Sequence, residues 1–263
     1  MPQETCLVSS VFGTIRAYEN DLITDQIRQF GNHTRPEFAF ATALLGPGMS
    51  CVDVGAHIGT FTLLAQQKIG EAGRVLAVEA LQSSYEILQE NLHRRSAGNV
   101  EALNALIGNP ETRYEIASID RNSGATYFAE AEHADTQLPV LSLDQLLERA
   151  GHVDFLKMDI EGLEFEALSK SSRLARDRFF LYFEVSEEQL GRHGASIAMV
   201  NELLRGLRYQ FFVNVGDRNA PHDVFRVKQL NHLTQHKPFF DVLCVPEEHA
   251  FAGVLRRAGR HEP

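Results

Sequence analysis

The 263 residues set 25 Lys and Arg against 35 Asp and Glu for a formal charge of −10, and at 44% hydrophobic and 23% charged they have the makeup of an ordinary globular chain. A chain of this length buries a substantial core without disulfide or metal, so one domain is the first expectation. The negative balance repels an extended phosphate backbone, so no nucleic-acid partner is expected, and with no apolar stretch near ~20 residues, no membrane partner is expected either.

Residues 1–10 lack a basic n-region followed by an apolar h-region, which leads to an expected cytoplasmic location. Cys6, Cys51 and Cys244 are far apart and without CxxC spacing, which suits reduced packing thiols better than a disulfide framework or zinc site. Residues 1–48 mix short apolar and polar runs and end in the turn signal Gly46-Pro47-Gly48. They read as a lead-in that caps a main domain of residues 49–250, with 251–263 as a tail.

From residue 50 the pattern alternates. Residues 51–54 read as a buried strand, 60–68 as a helix, 74–78 as a strand and 83–95 as an amphipathic helix, the order that gives parallel pairing. A third strand at 100–105 is followed by a polar stretch, 109–137, expected to be an insertion or hairpin. Ser142 caps a helix through 147, 153–158 is a strand, and 163–168 opens another helix. Strands at 179–183 and 209–213 flank a helix at 195–207, and 241–245 is the last strand.

The most informative segment is the strand, turn and helix start around Asp53-Val-Gly-Ala-His-Ile-Gly59-Thr60. Small residues there would let backbone amides approach a ligand at the carboxyl end of the sheet, with Gly59 allowing close helix packing on it. The glycines are spaced Gly55-x-x-x-Gly59, not GxGxxG, and an acid precedes them. Such a turn suits a cationic sulfonium better than an anionic pyrophosphate. Glu79, ending the next strand, can accept both hydroxyls of a ribose. Nicotinamide and adenosyl cofactors share that feature, so Glu79 alone does not choose between them.

These motifs, with Arg35-Pro-Glu37, Arg74-Val-Leu-Ala-Val-Glu79, Asn91, Asn104-Ala105-Leu106 and Lys157-Met-Asp159-Ile-Glu161-Gly-Leu-Glu164, resemble the FkbM-type methyltransferases in the family's order. The resemblance covers roughly residues 35–184. It implies an α/β, Rossmann-like class I methyltransferase fold, a mostly parallel central sheet with helices on both faces. It also implies S-adenosylmethionine as cofactor, S-adenosylhomocysteine as product, and methylation of a hydroxyl on a small molecule, natural product or sugar. Cofactor contacts are then expected from Glu37, Asp53, Gly55, Ala56, His57, Gly59, Thr60, Glu79, Ala80, Ser83, Asn104 and Ala105. Two departures stand out: His57 replaces the usual asparagine, and Ala80 the proline that often follows the second acid.

An alcohol acceptor must lose a proton as it is methylated, so a base or an acidifying cation is required. Asp159 and Glu161 at the end of the fourth strand are candidate catalytic residues, with Lys157 holding the acids or stabilising the acceptor oxygen and Glu184 in second rank. The bland alternative is a strand-end ion-pair cluster. A different one has Asp159, Glu161 and Glu184 bind Mg²⁺ through oxygen. His93, His133 and His193 read as solvated. Two other functions compete, a nicotinamide-dependent oxidoreductase and a non-catalytic ligand-binding module on the same fold. Assembly into a homo-oligomer is left open.

Overall fold

A computed structural model describes residues 4–116, 126–131, 138–235 and 237–249. The chain opens with an antiparallel hairpin, β1 (Thr5–Ser10) and β2 (Gly13–Tyr18), followed by α1 (Leu22–Phe30), α2 (Arg35–Ala41) and a 3₁₀ turn at Thr42–Leu44. Strand and helix then alternate through β3 (Ser50–Val54), α3 (Thr60–Ile69), β4 (Arg74–Glu79), α4 (Gln82–Arg94) and β5 (Val100–Asn104). Four short strands follow: β6 (Leu106–Ile107), β7 (Tyr114–Ile116), β8 (Phe128–Glu130) and β9 (Val140–Leu141). The second half holds α5 (Leu143–Ala150), β10 (Phe155–Met158), α6 (Glu164–Ser169), α7 (Ser172–Asp177), β11 (Phe180–Val185), α8 (Glu187–Arg192), α9 (Ile197–Gly206), β12 (Tyr209–Asn214), β13 (Val227–Leu230) and β14 (Phe240–Pro246).

The main sheet is ordered β13-β12-β14-β11-β10-β3-β4-β5. Parallel pairing runs from β11 through β10, β3 and β4 to β5, while β14 lies antiparallel between β11 and β12, and β13 antiparallel to β12. This mostly parallel sheet, covered by helices on both faces, has the Rossmann-like class I methyltransferase architecture. Burial on both faces explains why its strands read as continuous apolar runs. Val52, Val54, Leu156, Met158 and Leu181 face α5, α6 and α9 through Leu146, Leu147, Leu168, Val200 and Leu204. Their sequence neighbours Cys51, Phe155, Phe180 and Tyr182 face the other way, onto Phe40, Leu44, Phe61 and Ala65 of α2, the 3₁₀ turn and α3.

The lead-in shares this core. Ile15, Ala17, Tyr18, Ile23 and Ile27 pack with Leu63 of α3 and Ile87, Leu88 and Leu92 of α4. Asn91 fixes the contact: its side chain accepts from the Arg16 amide at 2.7 Å and donates to the carbonyls of Arg16 at 2.9 Å and Ile58 at 2.8 Å. The sequence pattern did not anticipate β1, β2, α1, α2, α7, α8 or β13, all of them nine residues or shorter and so too short for a periodic pattern to declare itself. The strand expected from residue 153 begins at Phe155, and Asp154 just before it accepts from the Ser50 amide through its carboxylate at 2.8 Å. Within 109–137 the described residues form an antiparallel pair, β7 with β8. His133 and the 251–263 tail lie outside the described residues. Cys51 and Cys244 are free and buried, and Cys6 is partly exposed. Among the described residues no helix is long and apolar enough to cross a membrane.

Candidate active site

A cavity of about 440 Å³ opens where β3, β4, β10 and β11 end, at the point where the strand order reverses between β3 and β10. Its floor is the turn after β3. Gly55 adopts φ +75°, and a Cβ there would stand 1.9 Å from the Asp159 carbonyl oxygen. Glycine is therefore required by the neighbouring backbone leaving β10. The Gly55 and Ala56 amides both donate to the Val78 carbonyl, each at 2.9 Å, which holds the turn against β4. Gly59 packs closely as expected, but against Leu88 of α4 rather than the sheet.

His57 also lies in the left-handed region, with φ +51°. Asparagine and histidine are both over-represented there among non-glycine residues, which accounts for the exchange at this position. Its backbone N–H donates to the Glu79 carboxylate at 2.7 Å, and the Leu81 amide donates to the other oxygen at 2.8 Å. Two amides thus aim the Glu79 carboxylate along the cavity wall, while burial pushes its pKa up to about 7. Burial likewise pushes the His57 imidazole down to about 4 and that of His33, a cavity residue from the lead-in, down to about 3.

Lys157 is buried between the two halves of the site. Its ammonium donates to the Gly55 carbonyl at 2.7 Å and stands 3.4 Å from Asp53 and 3.7 Å from Asp159. Burial pulls its pKa down, but those carboxylates hold it above the usual lysine range. Asp53 is fully buried beneath the turn, where it accepts from Thr62 Oγ1 at 2.5 Å. Its other oxygen faces the Lys157 ammonium.

Beyond Lys157 the carboxylates gather. Glu161, at φ +56°, and Glu184 both accept from Gln189 Nε2, at 2.6 and 3.1 Å. Arg218 pairs with Asp241 and stands 3.6 Å from Glu184. Glu164 does not face the cavity. It clamps the turn by accepting from the amides of Ile160 at 2.9 Å and Gly162 at 3.0 Å.

Of the residues picked from sequence, Gly55, Ala56, His57, Thr60, Glu79, Ala80, Ala105, Lys157, Asp159, Glu161 and Glu184 line this cavity. Asp53, Gly59, Ser83, Asn104 and Glu37 do not. Asn104 instead donates to the carbonyls of Glu79 and Ala80, and exposed Ser83 accepts from the Tyr18 hydroxyl. Glu37 is buried against β11 and β12, accepting from Asn214 at 3.0 Å and Tyr182 at 3.4 Å. The Mg²⁺ alternative is not supported, since among the described residues no group of three or more His, Cys, Asp or Glu is placed to hold a metal. His193 was expected to be solvated. It is half-buried, its ring lies against Gly162, and among the described residues its Nε2 has no hydrogen-bond partner; His93 is exposed as expected. Sequence reasoning missed Gln189, Arg218, Asp241 and the lead-in residues Leu22, Gln26, His33 and Phe38. None belongs to a local motif, and only the fold brings them to the cavity and its surround.

No curated protein matches the chain. Among solved structures, a methyltransferase FkbM from Methylobacillus flagellatus KT is 20% identical over 80% of this chain and 48% of its own, so this chain spans less than half of that one, with TM-score 0.48. A precorrin-6y C5,15-methyltransferase from Geobacter metallireducens GS-15 is 14% identical over 81% and 87%, with TM-score 0.46. An S-adenosylmethionine-dependent O-methyltransferase from Thermotoga maritima is 11% identical over 81% and 65%, with TM-score 0.42. The methyltransferase FkbM domain family matches residues 53–211, well over half of the sequence and the whole span from the glycine turn to β12. The chain belongs to the FkbM methyltransferase family and is an S-adenosylmethionine-dependent methyltransferase.

Proposed function

We propose that this protein transfers the methyl group to a hydroxyl of a small-molecule acceptor, such as a natural product or sugar. Residues 49–250 carry the transferase, and residues 1–48 close one wall of its cavity. The residues present fit the donor. Each Glu79 oxygen spends one acceptor site on a backbone amide and keeps another for a ribose hydroxyl. The acids around Lys157 suit a cation, and the Gly55 bend leaves the floor free of side chain.

When bound, S-adenosylmethionine supplies a methyl group on a positively charged sulfur. The chain's own part is alignment and proton removal. The observation that carries the hydroxyl reading is the set of carboxylates Asp159, Glu161 and Glu184 lining the cavity beside Lys157. They can accept the proton that an alcohol loses, while Lys157, held by two carbonyls and two acids, keeps them in register.

The test is incubation of the protein with a cell metabolite extract and methyl-labelled donor, followed by identification of the labelled product. A label on an ether oxygen is the expected result; a label on nitrogen or carbon overturns the hydroxyl reading. The oxidoreductase alternative falls with family membership. A silent binder would retain donor and transfer nothing. Glu161→Gln with Asp159→Asn is expected to bind S-adenosylhomocysteine normally yet lower turnover by a hundredfold or more.

A further inference from the structure

Among the described residues, Gln189 is the side chain that hydrogen-bonds to both Glu161 and Glu184. Its Nε2 lies 2.6 Å from Glu161 Oε2 and 3.1 Å from Glu184 Oε1, so one amide draws two carboxylates from different elements together. Glu161 comes from the turn after β10, held left-handed at φ +56°, and Glu184 from the end of β11. The groups around the pair are mostly of the same sign. The β10 turn brings Asp159 and Glu164 toward Glu161, and β14 brings Asp241 opposite Glu184 in register. Against them stand Arg218 at 3.6 Å from Glu184, itself paired with Asp241, and Arg192 of α8 toward Glu161. Lys157 is spent on Asp53, Asp159 and two carbonyls. Two neighbouring carboxylates in such a setting do not both ionise readily.

We propose that Gln189 is a positioning residue that joins Glu161 and Glu184 into one carboxylate pair, which is protonated in the resting site and gives one proton to solvent when the cationic methyl donor binds. Burial, reinforced by Asp159, pushes Glu161 up to about 9 and Glu184 up to about 8, so at neutral pH the pair has a proton to release. A positive charge entering the same cavity favours the ionised form and offsets the repulsion.

The proton balance then closes over a turnover, an inference that rests on the hydroxyl reading above. The ionised pair accepts the acceptor's O–H proton as the new O–C bond forms and the S–C bond breaks, its electron pair staying on sulfur. The product sulfide is neutral, so the pair keeps that proton and is back in its resting form. The one proton the reaction produces thus reaches solvent at the next donor binding.

The experiment is calorimetric titration of the whole chain with S-adenosylmethionine and, separately, S-adenosylhomocysteine, between pH 6.5 and 9, in buffers of different ionisation enthalpy. The two ligands share the same amino-acid and nucleoside ends, so the difference in protons released reports the charge on sulfur. The native protein is expected to release up to about one proton with the sulfonium near pH 7.5 and close to none with the sulfide. The double variant E161Q/E184Q should lose that difference. Q189L should keep its sulfide affinity but move the release profile to higher pH, since a donor that favours the ionised form is gone. Equal proton counts for the two ligands in the native protein, which needs no variant to fold, overturn the proposal, as does a difference that survives in E161Q/E184Q. Failure of both ligands to bind is a separate result that removes the donor reading itself.

Discussion

At Gly55 a Cβ would collide with the Asp159 carbonyl at 1.9 Å in a backbone conformation that side chains rarely adopt, so a single atom there separates the two halves of the site. Gly55→Ala is expected to cost at least ~2 kcal/mol, read by urea denaturation, and to weaken S-adenosylhomocysteine binding by pushing the β10 exit away from the turn. Glu79 is sensitive for a different reason, because both its oxygens accept backbone amides. Glu79→Gln leaves one of those amides facing an NH₂ group. The same exchange turns one ribose-facing acceptor into a donor, and a hydrogen bond lost there costs ~1–3 kcal/mol, so the dissociation constant for S-adenosylhomocysteine should rise about tenfold or more in a calorimetric titration. Lys157 owes its place to burial among acids. Its motif was legible from the sequence, but the partners that fix it, Asp53 and the Gly55 carbonyl, were not.

Among the elements, the hairpin of β1 and β2 depends on α4. Asn91 makes three hydrogen bonds that join β2 and the turn before α3 to that helix. Asn91→Ala strands buried backbone groups and is expected to lower stability by about 3 kcal/mol. Limited proteolysis should then cut first in the 5–18 hairpin, a result that uniform unfolding would not give. Local signals read well where they were complete. Ser142 and Gln145 form a capping box at the start of α5, and the helix was expected from that serine. By contrast α8 carries Gln189 yet spans only six residues, too short for a periodic pattern to declare itself.

Over the whole molecule, buried acids set the pH response. Glu161 and Glu184 hold protons in the folded state up to about 9 and about 8, whereas in the unfolded chain they ionise near the ordinary carboxyl value. Between pH 7 and 9 the native state therefore binds more protons than the unfolded state, and stability falls as pH rises. Buried Cys51 and Cys244, with thiols pushed up, act in the same direction. The buried imidazoles of His33 and His57 act oppositely, but only below about pH 6.5, where the unfolded chain takes up protons first. A melting temperature lower by a few degrees at pH 9 than at pH 7 is expected, with a shallower slope in E161Q/E184Q. An unchanged or rising melting temperature over that range would contradict the burial of these acids.

The alternating strands and helices, the turn from Asp53 to Thr60, Glu79, and the block from Lys157 to Glu164 were legible before folding, because each is written in neighbouring residues whose spacing follows backbone geometry. The sequence placed most of the cavity for the same reason, since parallel strands bring their carboxyl ends to one edge. Tertiary structure alone decided that Asp53 lies beneath the turn rather than in the cavity, that Glu37 serves a buried contact with Asn214 and Tyr182, and that Gln189 and Arg218 reach the acids. Those contacts join residues from 5 to more than 170 positions apart through packing of whole elements, and no local pattern records which side chains will meet there.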